Sequence, residues 1–129
     1  MLLEFKKFKG YGTSNLGTRP EVFCLIKDHL NLFLIFYEGI ESKYQSKLNT
    51  IIARIELFSN QQPMPPNKFR CLNPKQKGIK EYEFKNDDLR VYAFKLKSMF
   101  VIAFGGYKNN QSNDIIKLKS ITKQLSNGK

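Results

Sequence analysis

Several residue types that build common catalytic sites are scarce in this 129-residue sequence. It contains no tryptophan, one histidine (His29) and two cysteines, Cys24 and Cys71, that form no Cys-x-x-Cys pair. One histidine cannot supply both partners of a histidine acid–base pair, and isolated cysteines are typical of buried thiols rather than metal ligands. The acidic residues form no metal-cage pattern, and no Walker loop or dinucleotide fingerprint is present. We therefore expect no metal, no cofactor and no role for His29 in a site.

Long apolar runs are also absent. The longest extends from Leu32 to Tyr37, far short of the ~20 residues that a membrane-spanning helix needs. The first ten residues lack an apolar core of the length that a secretory signal requires. The hydrophobic content of 41% is nevertheless too high for a disordered tail. These features predict one cytoplasmic domain over residues 1–129, in which residues 1–20 form a poorly patterned arm with a short strand at Leu2–Phe8.

Positive charge is abundant and unevenly distributed. The chain has 22 Lys and Arg residues against 11 Asp and Glu residues, a net charge of +11. Residues 68–129 hold 14 of the basic residues and five of the acidic ones, so they carry nine of the eleven net charges. A concentrated positive field attracts polyphosphate chains largely without regard to their sequence. The charge favours a nucleic-acid partner, although a lysine-rich solvated surface would account for it as well.

The first half of the chain contains one clear helix and one ambiguous segment. Val22–Ile26 is a compact apolar run typical of a strand. Asp28 is placed to cap a helix over Leu30–Glu38, but six consecutive apolar residues fit a buried strand equally well. Residues 42–45 have the form of a capping box, after which apolar residues recur at helical spacing. Because prolines follow, we expect this second helix to cover Lys43–Ser59.

In the second half the hydrophobic period changes from 3.6 to 2. Three strands are predicted, at Lys80–Lys85, Leu89–Lys95 and Met99–Gly105. Residues 86–88 and 97–98 form the tight turns between them. Strands joined in this way make an antiparallel meander.

A last helix is expected over Asp114–Leu125, with its apolar residues on one side. Helices that pack on one face of an antiparallel sheet define an α+β domain whose other face is open. Alternation along the first two strands of the meander then assigns five polar or aromatic side chains to that open face. They are Glu81, Glu83, Lys85, Arg90 and Tyr92.

Such a face could cut RNA without a metal. The 2′-hydroxyl of RNA can attack the adjacent phosphate if a base lies near the hydroxyl and fixed positive charge surrounds the phosphorane. A carboxylate beside Arg and Lys meets both needs, and a tyrosine ring can stack a base. The pattern by itself favours a simpler interpretation, cross-strand salt bridges on a solvated sheet face.

Four pieces of the sequence change this balance. Tyr82–Lys85 reads aromatic-Glu-aromatic-basic, and Leu89–Tyr92 follows as an aliphatic-Arg-aliphatic-aromatic strand. Gly105–Gln111 is a Gly, Lys and Gln loop before the last helix, and Lys43–Ser59 supplies a long helix ahead of the sheet. In order and spacing these pieces resemble the RelE/HigB superfamily of toxins, including its phage-derived HigB-like branch, over roughly residues 22–125.

The resemblance implies a microbial-ribonuclease-like RelE fold and cleavage of messenger RNA, often on the ribosome. It also implies a cognate antitoxin, which we expect to be a small helix-turn-helix protein. By position, Arg90 matches the strand arginine that holds the scissile phosphate, and Lys108 lies where these toxins place another phosphate-binding cation. Glu83 or Lys85 would take the role of the base.

The remaining residues expected to contact RNA surround these positions. Glu81 and Tyr92 share the predicted face with Glu83, and three cations come from the basic half of the chain. The three are Arg70, Lys75 and Lys77.

Three hypotheses of function result, the third being a structural or protein-binding domain whose positive charge is a solvated surface. The first is the toxin of a toxin–antitoxin system, a metal-independent endoribonuclease that cleaves mRNA. The second is a basic RNA-binding domain of the same fold with little or no catalytic activity. Phe104 stands where many HigB-like toxins have histidine, and the C-terminus lacks the Tyr or His that several of them keep. These departures favour the second hypothesis, whereas Arg90 beside Glu83 and Lys85 favours the first.

Overall fold

The computed structural model describes residues 1–8, 22–59 and 67–127. Most of the predicted N-terminal arm, residues 9–20, lies outside the described residues. Three helices and seven strands follow one another within these described residues. In order they are β1 (Leu3–Lys7), β2 (Val22–Lys27), β3 (Leu30–Asn31), α1 (Leu32–Gly39), α2 (Ser42–Ser59), β4 (Phe69–Cys71), β5 (Lys80–Asn86), β6 (Leu89–Leu96), β7 (Met99–Tyr107) and α3 (Gln111–Asn127).

The strands form one mixed sheet in the order β1-β2-β7-β6-β5-β4, with β3 paired to β2. Strands β2 and β7 are parallel, and every other pair is antiparallel. The α+β class and the predicted meander β5–β6–β7 are confirmed. The prediction of a wholly antiparallel sheet is wrong, because β2 pairs in parallel with β7. A parallel pair needs a long connection, and here the two helices and strands β4, β5 and β6 lie between the two strands in the chain.

Helices cover both faces of the sheet. The side chains of α1 and α2 pack on one face, where Phe33 and Ile52 join a core with Phe84 and Val91. Helix α3 covers the other face through Leu118 and Ile121. The prediction of an open second face is therefore wrong. Apolar strand residues point to that face as well, and the apolar side of α3 removes them from water.

The segment between β2 and α1 also differs from the prediction. Asp28 and His29 form a tight turn with φ values of 50° and 70°, so neither residue belongs to a helix. The N-cap of α1 is Asn31, whose side-chain oxygen accepts the Leu34 amide at 3.0 Å. Asp28 instead accepts the amide of Leu2 at 2.7 Å and ties β1 to this turn. Asn31 takes over the capping role because the two-residue strand β3 delays the start of the helix.

Helix α2 and the two turns of the meander agree closely with expectation. Asp87 and Lys97 hold the left-handed conformation that these tight turns require, with φ values of 52° and 56°. The three-residue edge strand β4 was not predicted. No helix in the described parts of the chain combines the length and the apolar character needed to cross a membrane.

Candidate functional site

A buried polar cluster lies on the face of the sheet that α3 covers, beneath the first turns of that helix. Strand register creates it, because Glu83 pairs with Tyr92 across β5 and β6. Cross-strand partners point to the same face, and Arg90 lies two residues from Tyr92 on that face. Helix α3 contributes the remaining members. Glu83, Arg90, Tyr92, Gln111 and Asp114 form what we name the Glu83 cluster.

Glu83 is fully buried, and each of its carboxylate oxygens is engaged. Its Oε1 accepts a hydrogen bond from Arg70 Nε at 2.8 Å. Its Oε2 accepts from Gln111 Nε2, and Arg90 Nε lies 3.9 Å from the same oxygen. Two guanidinium groups and an amide therefore surround this carboxylate. Glu83 can act as a base toward RNA only if Gln111 first moves away.

Arg90 is 7% exposed and turns its guanidinium onto the β5–β6 turn. Its Nη1 donates to the carbonyl oxygens of Asp87 and Leu89, each at 2.8 Å. The premise that Arg90 points outward from an open sheet face is wrong, because α3 covers that face. In this geometry Arg90 holds the turn and balances the charge of Glu83.

Tyr92 is fully buried, so its ring is not presented to a stacking base. The ring packs against Phe104 instead, with the two centroids 5.2 Å apart. Burial raises the pKa of Tyr92 far above its ordinary value, and the nearby carboxylates of Glu83 and Asp114 raise it further. Tyr92 is thus a neutral member of the core, with its hydroxyl directed into the Glu83 cluster.

Asp114 lies in the first turn of α3, and Gly106 leaves room for its carboxylate, since a Cβ atom at residue 106 would overlap Asp114 Oδ2. Asp114 Oδ1 accepts from Asn110 Nδ2 at 3.1 Å. Among the described residues, Asp114 Oδ2, Arg90 Nε and Tyr92 Oη are buried without a hydrogen-bond partner. Buried polar atoms without partners are rare and costly, and they often mark positions kept for function.

Two aspartates should give opposite pH dependences of stability. Burial raises the pKa of Asp114 above its usual 3.8, whereas the hydrogen bond from Lys47 lowers the pKa of Asp87. A raised pKa in the folded state gives stability that is present below pH 3.8 and lost as the pH rises through the folded-state pKa. A lowered pKa in the folded state gives stability that is present at a pH above the usual pKa and lost as the pH falls through the folded-state pKa.

We therefore expect the free energy of unfolding of Asp114→Asn to increase relative to that of the wild type as the pH rises above about 4. Asp87→Asn should match the wild type at low pH and fall behind it as the pH rises. Urea unfolding at a series of pH values measures both differences. Two variants with differences of the same sign and slope would contradict the assignment.

A cleft of about 370 Å³ lies beside the Glu83 cluster, between α3 and the loop that precedes β5. Glu81 forms its floor and is 4% exposed. The carboxylate of Glu81 accepts from Lys119 Nζ at 2.9 Å and from Thr122 Oγ1. Lys77 lines the cleft from the loop, and Lys123 lines it from α3.

Arg70 extends this positive surface toward the Glu83 cluster. It pairs with Glu83 across β4 and β5, two residues along β5 from Glu81, and its side chain is 49% exposed. The cleft, its lining cations Lys77, Lys119 and Lys123, and Arg70 on the edge strand β4 form what we name the basic groove. Lys75 is exposed on the same loop as Lys77. Of the residues expected to contact RNA, Lys77 and Glu81 line this cleft, where Glu81 is already paired, whereas Arg70 is paired with Glu83.

Lys85 and Lys108 lie beyond the buried cluster. Lys85 is partly exposed and pairs with Arg90 at the end of β5. Lys108 follows β7, and its backbone amide donates to Asp88 O at 2.7 Å. Of the four residues expected to act in catalysis, Glu83 and Arg90 form an ion-pair contact, and Lys85 is the direct cross-strand neighbour of Arg90. The side chain of Lys108 lines a separate cleft of about 420 Å³ together with Tyr44, Asp88, Tyr107 and Asn109.

Sequence reasoning missed the polar residues of α3 that contact these carboxylates. Gln111, Lys119 and Thr122 fall close to one helical face, at spacings that place them on the same side as Ile115. The sequence shows polar residues that interrupt the apolar side of the last helix. Their contact with the carboxylates of β5 could not be predicted without knowing that α3 crosses β5.

Comparison of the chain with protein-family models, curated proteins and solved structures found no match. Within residues 1–8, 22–59 and 67–127, no three His, Cys, Asp or Glu side chains gather as a metal-binding group. Both cysteines are free; Cys24 is buried, as expected, and Cys71 is partly buried. Burial raises the pKa of the Cys24 thiol to about 12. The basic groove and the Glu83 cluster are therefore the two features of the described residues that point to a function.

Proposed function

We propose that this protein binds single-stranded RNA along the basic groove. The carrying observation is that cations from two different elements, Lys77 on the loop and Lys123 on α3, line one cleft. Arg70 continues the line along the edge of the sheet. A groove with cations on both sides follows a flexible phosphate backbone and needs no base-specific contact.

The acidic residues under the groove do not oppose this role. Glu81 is paired with Lys119 and Thr122, and Glu83 is paired with Arg70, Gln111 and Arg90. Lys77, Lys123 and Lys75 add positive charge above those pairs. The groove therefore keeps a positive excess that phosphate can neutralise with release of counterions.

Binding of a single-stranded RNA oligonucleotide, measured against salt concentration, tests the proposal. Lys77→Gln with Lys123→Gln should lower the slope of log affinity against log salt by about 1.4, since each phosphate contact on a single strand contributes about 0.7. At 0.15 M salt this corresponds to a roughly tenfold weaker complex. Neither substitution removes a partner of the buried carboxylates.

The matched control is Lys6→Gln with Lys7→Gln. Both lysines are exposed on β1, which lies at the edge of the sheet opposite β4. This variant loses the same net charge and should change the slope much less. Equal effects of the two double variants would mean that binding reports overall charge, and the groove would not be the site.

The second candidate function is RNA cleavage by the Glu83 cluster, as the resemblance to RelE/HigB toxins implies. The favouring observation is that three polar atoms of the Glu83 cluster are buried without partners, two of them on Arg90 and Tyr92, which match the toxin motif. The order of elements also fits that class, with two helices ahead of a three-stranded meander and a helix after it. Cleavage would require Gln111 to release Glu83 and the buried Arg90 to become accessible to a phosphate.

Inducing the protein in a bacterium and mapping transcript ends tests this second function. The informative variant is Tyr92→Phe, which removes only a buried hydroxyl that has no partner among the described residues. Growth arrest with cut transcripts that weakens in Tyr92→Phe would support catalysis in the cluster. If cells that produce the wild-type protein grow normally and the protein binds RNA in a salt-dependent way, RNA binding without cleavage is the remaining function.

A toxin of this class would need a partner that neutralises it. We propose a smaller, net acidic antitoxin, a helix-turn-helix protein, that covers part of the basic surface and associates quickly because of its charge. Co-expression with the product of the adjacent gene should give a complex and relieve growth arrest. A toxic protein that forms no such complex would contradict this proposal without affecting RNA binding.

A further inference from the structure

The loop that carries Lys77 in the groove and the exposed Lys75 beside it spans residues 73–79 and contains no helix or strand. Side-chain hydrogen bonds hold its backbone instead. Lys80, the first residue of β5, donates from Nζ to three carbonyl oxygens of the loop. These are Asn73 O at 3.4 Å, Pro74 O at 3.0 Å and Gln76 O at 2.5 Å.

Asn73 closes the same loop from its other end and is 6% exposed. Its Nδ2 donates to Ile79 O at 2.9 Å, and its Oδ1 accepts the amide of Glu81 at 2.8 Å. The carbonyl of Asn73 also accepts the amide of Gln76 at 3.2 Å. Asn73 and Lys80 therefore share one network that sets the path of the loop.

The position of Lys80 explains why its ammonium turns into the loop. Lys80 pairs directly with Lys95 across β5 and β6, and like charges in that arrangement repel each other. Carbonyl oxygens offer the ammonium three acceptors away from Lys95. An ammonium has three donors, so a group of three carbonyls satisfies it.

We infer that Lys80 is a positioning residue for RNA binding, which fixes the loop so that Lys75 and Lys77 are presented to phosphate. This inference depends on the proposed function of the basic groove. A loop that is already ordered does not lose conformational entropy when RNA binds, whereas a loose loop pays that cost on association. Lys80 contributes to affinity through the loop as well as through its own charge.

Lys80→Met and Lys95→Met separate these two effects, because each removes one positive charge from directly paired positions. Both should lower the salt slope for single-stranded RNA by a similar small amount. Lys80→Met should bind RNA on the order of tenfold more weakly than Lys95→Met, because its loosened loop must be ordered on binding. A tenfold loss is about the cost of ordering one or two flexible side chains. Hydrogen exchange should show faster exchange of the Gln76 amide in Lys80→Met and no change in Lys95→Met.

Asn73→Ala supplies a second test that leaves the charge unchanged. It should weaken RNA binding without altering the salt slope, provided that thermal unfolding shows a folded protein. Wild-type protein that fails to bind RNA would overturn the proposed function. Wild-type protein that binds, with equal affinities for Lys80→Met and Lys95→Met, would overturn only the positioning role of Lys80.

Discussion

Arg90→Ala should lower the free energy of unfolding by about 3–5 kcal/mol, the loss that follows when one partner of a buried ion pair is removed. Arg90 is 7% exposed, and its guanidinium donates to two backbone carbonyls of the β5–β6 turn. Its removal leaves those carbonyls without this donor and takes a positive charge from beside the fully buried Glu83. Urea unfolding at neutral pH measures the change.

A double variant shows whether the loss comes from the broken pair. Replacing buried ion pairs with apolar residues of similar volume is often neutral or stabilising. Glu83→Leu with Arg90→Leu should therefore recover much of the stability that Arg90→Ala loses. Arg90→Lys should fall between wild type and Arg90→Ala, because an ammonium keeps the charge but cannot reproduce the guanidinium geometry. A loss below about 1 kcal/mol in Arg90→Ala would contradict the structural role.

This result bears directly on how toxicity experiments are interpreted. An Arg90→Ala protein that no longer arrests growth could have lost either a phosphate ligand or its fold. The Glu83→Leu, Arg90→Leu protein separates the two, since it removes both charged groups while keeping the core packed. Growth arrest by that folded double variant would exclude both residues from the chemistry.

Much of the fold was predictable because local patterns determine it. Strict alternation over Lys80–Lys85 predicts β5, and the polar residues after it predict the turn that Asp87 makes with a positive φ. The capping box at residues 42–45 predicts the start of α2 to within one residue. These elements depend on hydrogen bonds and side-chain spacing within a few residues, which a sequence displays directly.

The orientation of the site residues was less accessible, because it depends on where α3 packs. The prediction of an open face treated the polar residues of β5 as solvated. One signal pointed the other way: Val91-Tyr92-Ala93-Phe94 is continuously apolar, a pattern typical of a strand that is buried on both faces. Both sides of β6 are in fact buried at these four residues. The pairing of β2 with β7 likewise joins residues far apart in sequence, and no local pattern specifies it.

Helix α3 provides the second large effect, because it forms one side of the basic groove. Leu118 is fully buried against the sheet, whereas Ile116, two residues earlier on the same helix, is 67% exposed. Leu118→Ala should cost about 2–5 kcal/mol of stability, through lost burial and the cavity left behind. Ile116→Ala should change stability by no more than about 0.5 kcal/mol, since an exposed position loses little contact and alanine favours the helix.

The two variants also test whether the groove depends on the docking of α3. Lys119 and Lys123 lie on this helix, and Lys119 reaches Glu81 on β5 only while the helix is packed on the sheet. Near the unfolding midpoint of Leu118→Ala, RNA affinity should fall in parallel with the folded fraction, while Ile116→Ala binds as the wild type does. Circular dichroism and RNA titration at the same temperatures make the comparison. If Leu118→Ala lowers the free energy of unfolding by less than about 1 kcal/mol, the Leu118 contact does not hold α3 on the sheet. If RNA binding persists after α3 unfolds, the binding site lies outside the basic groove.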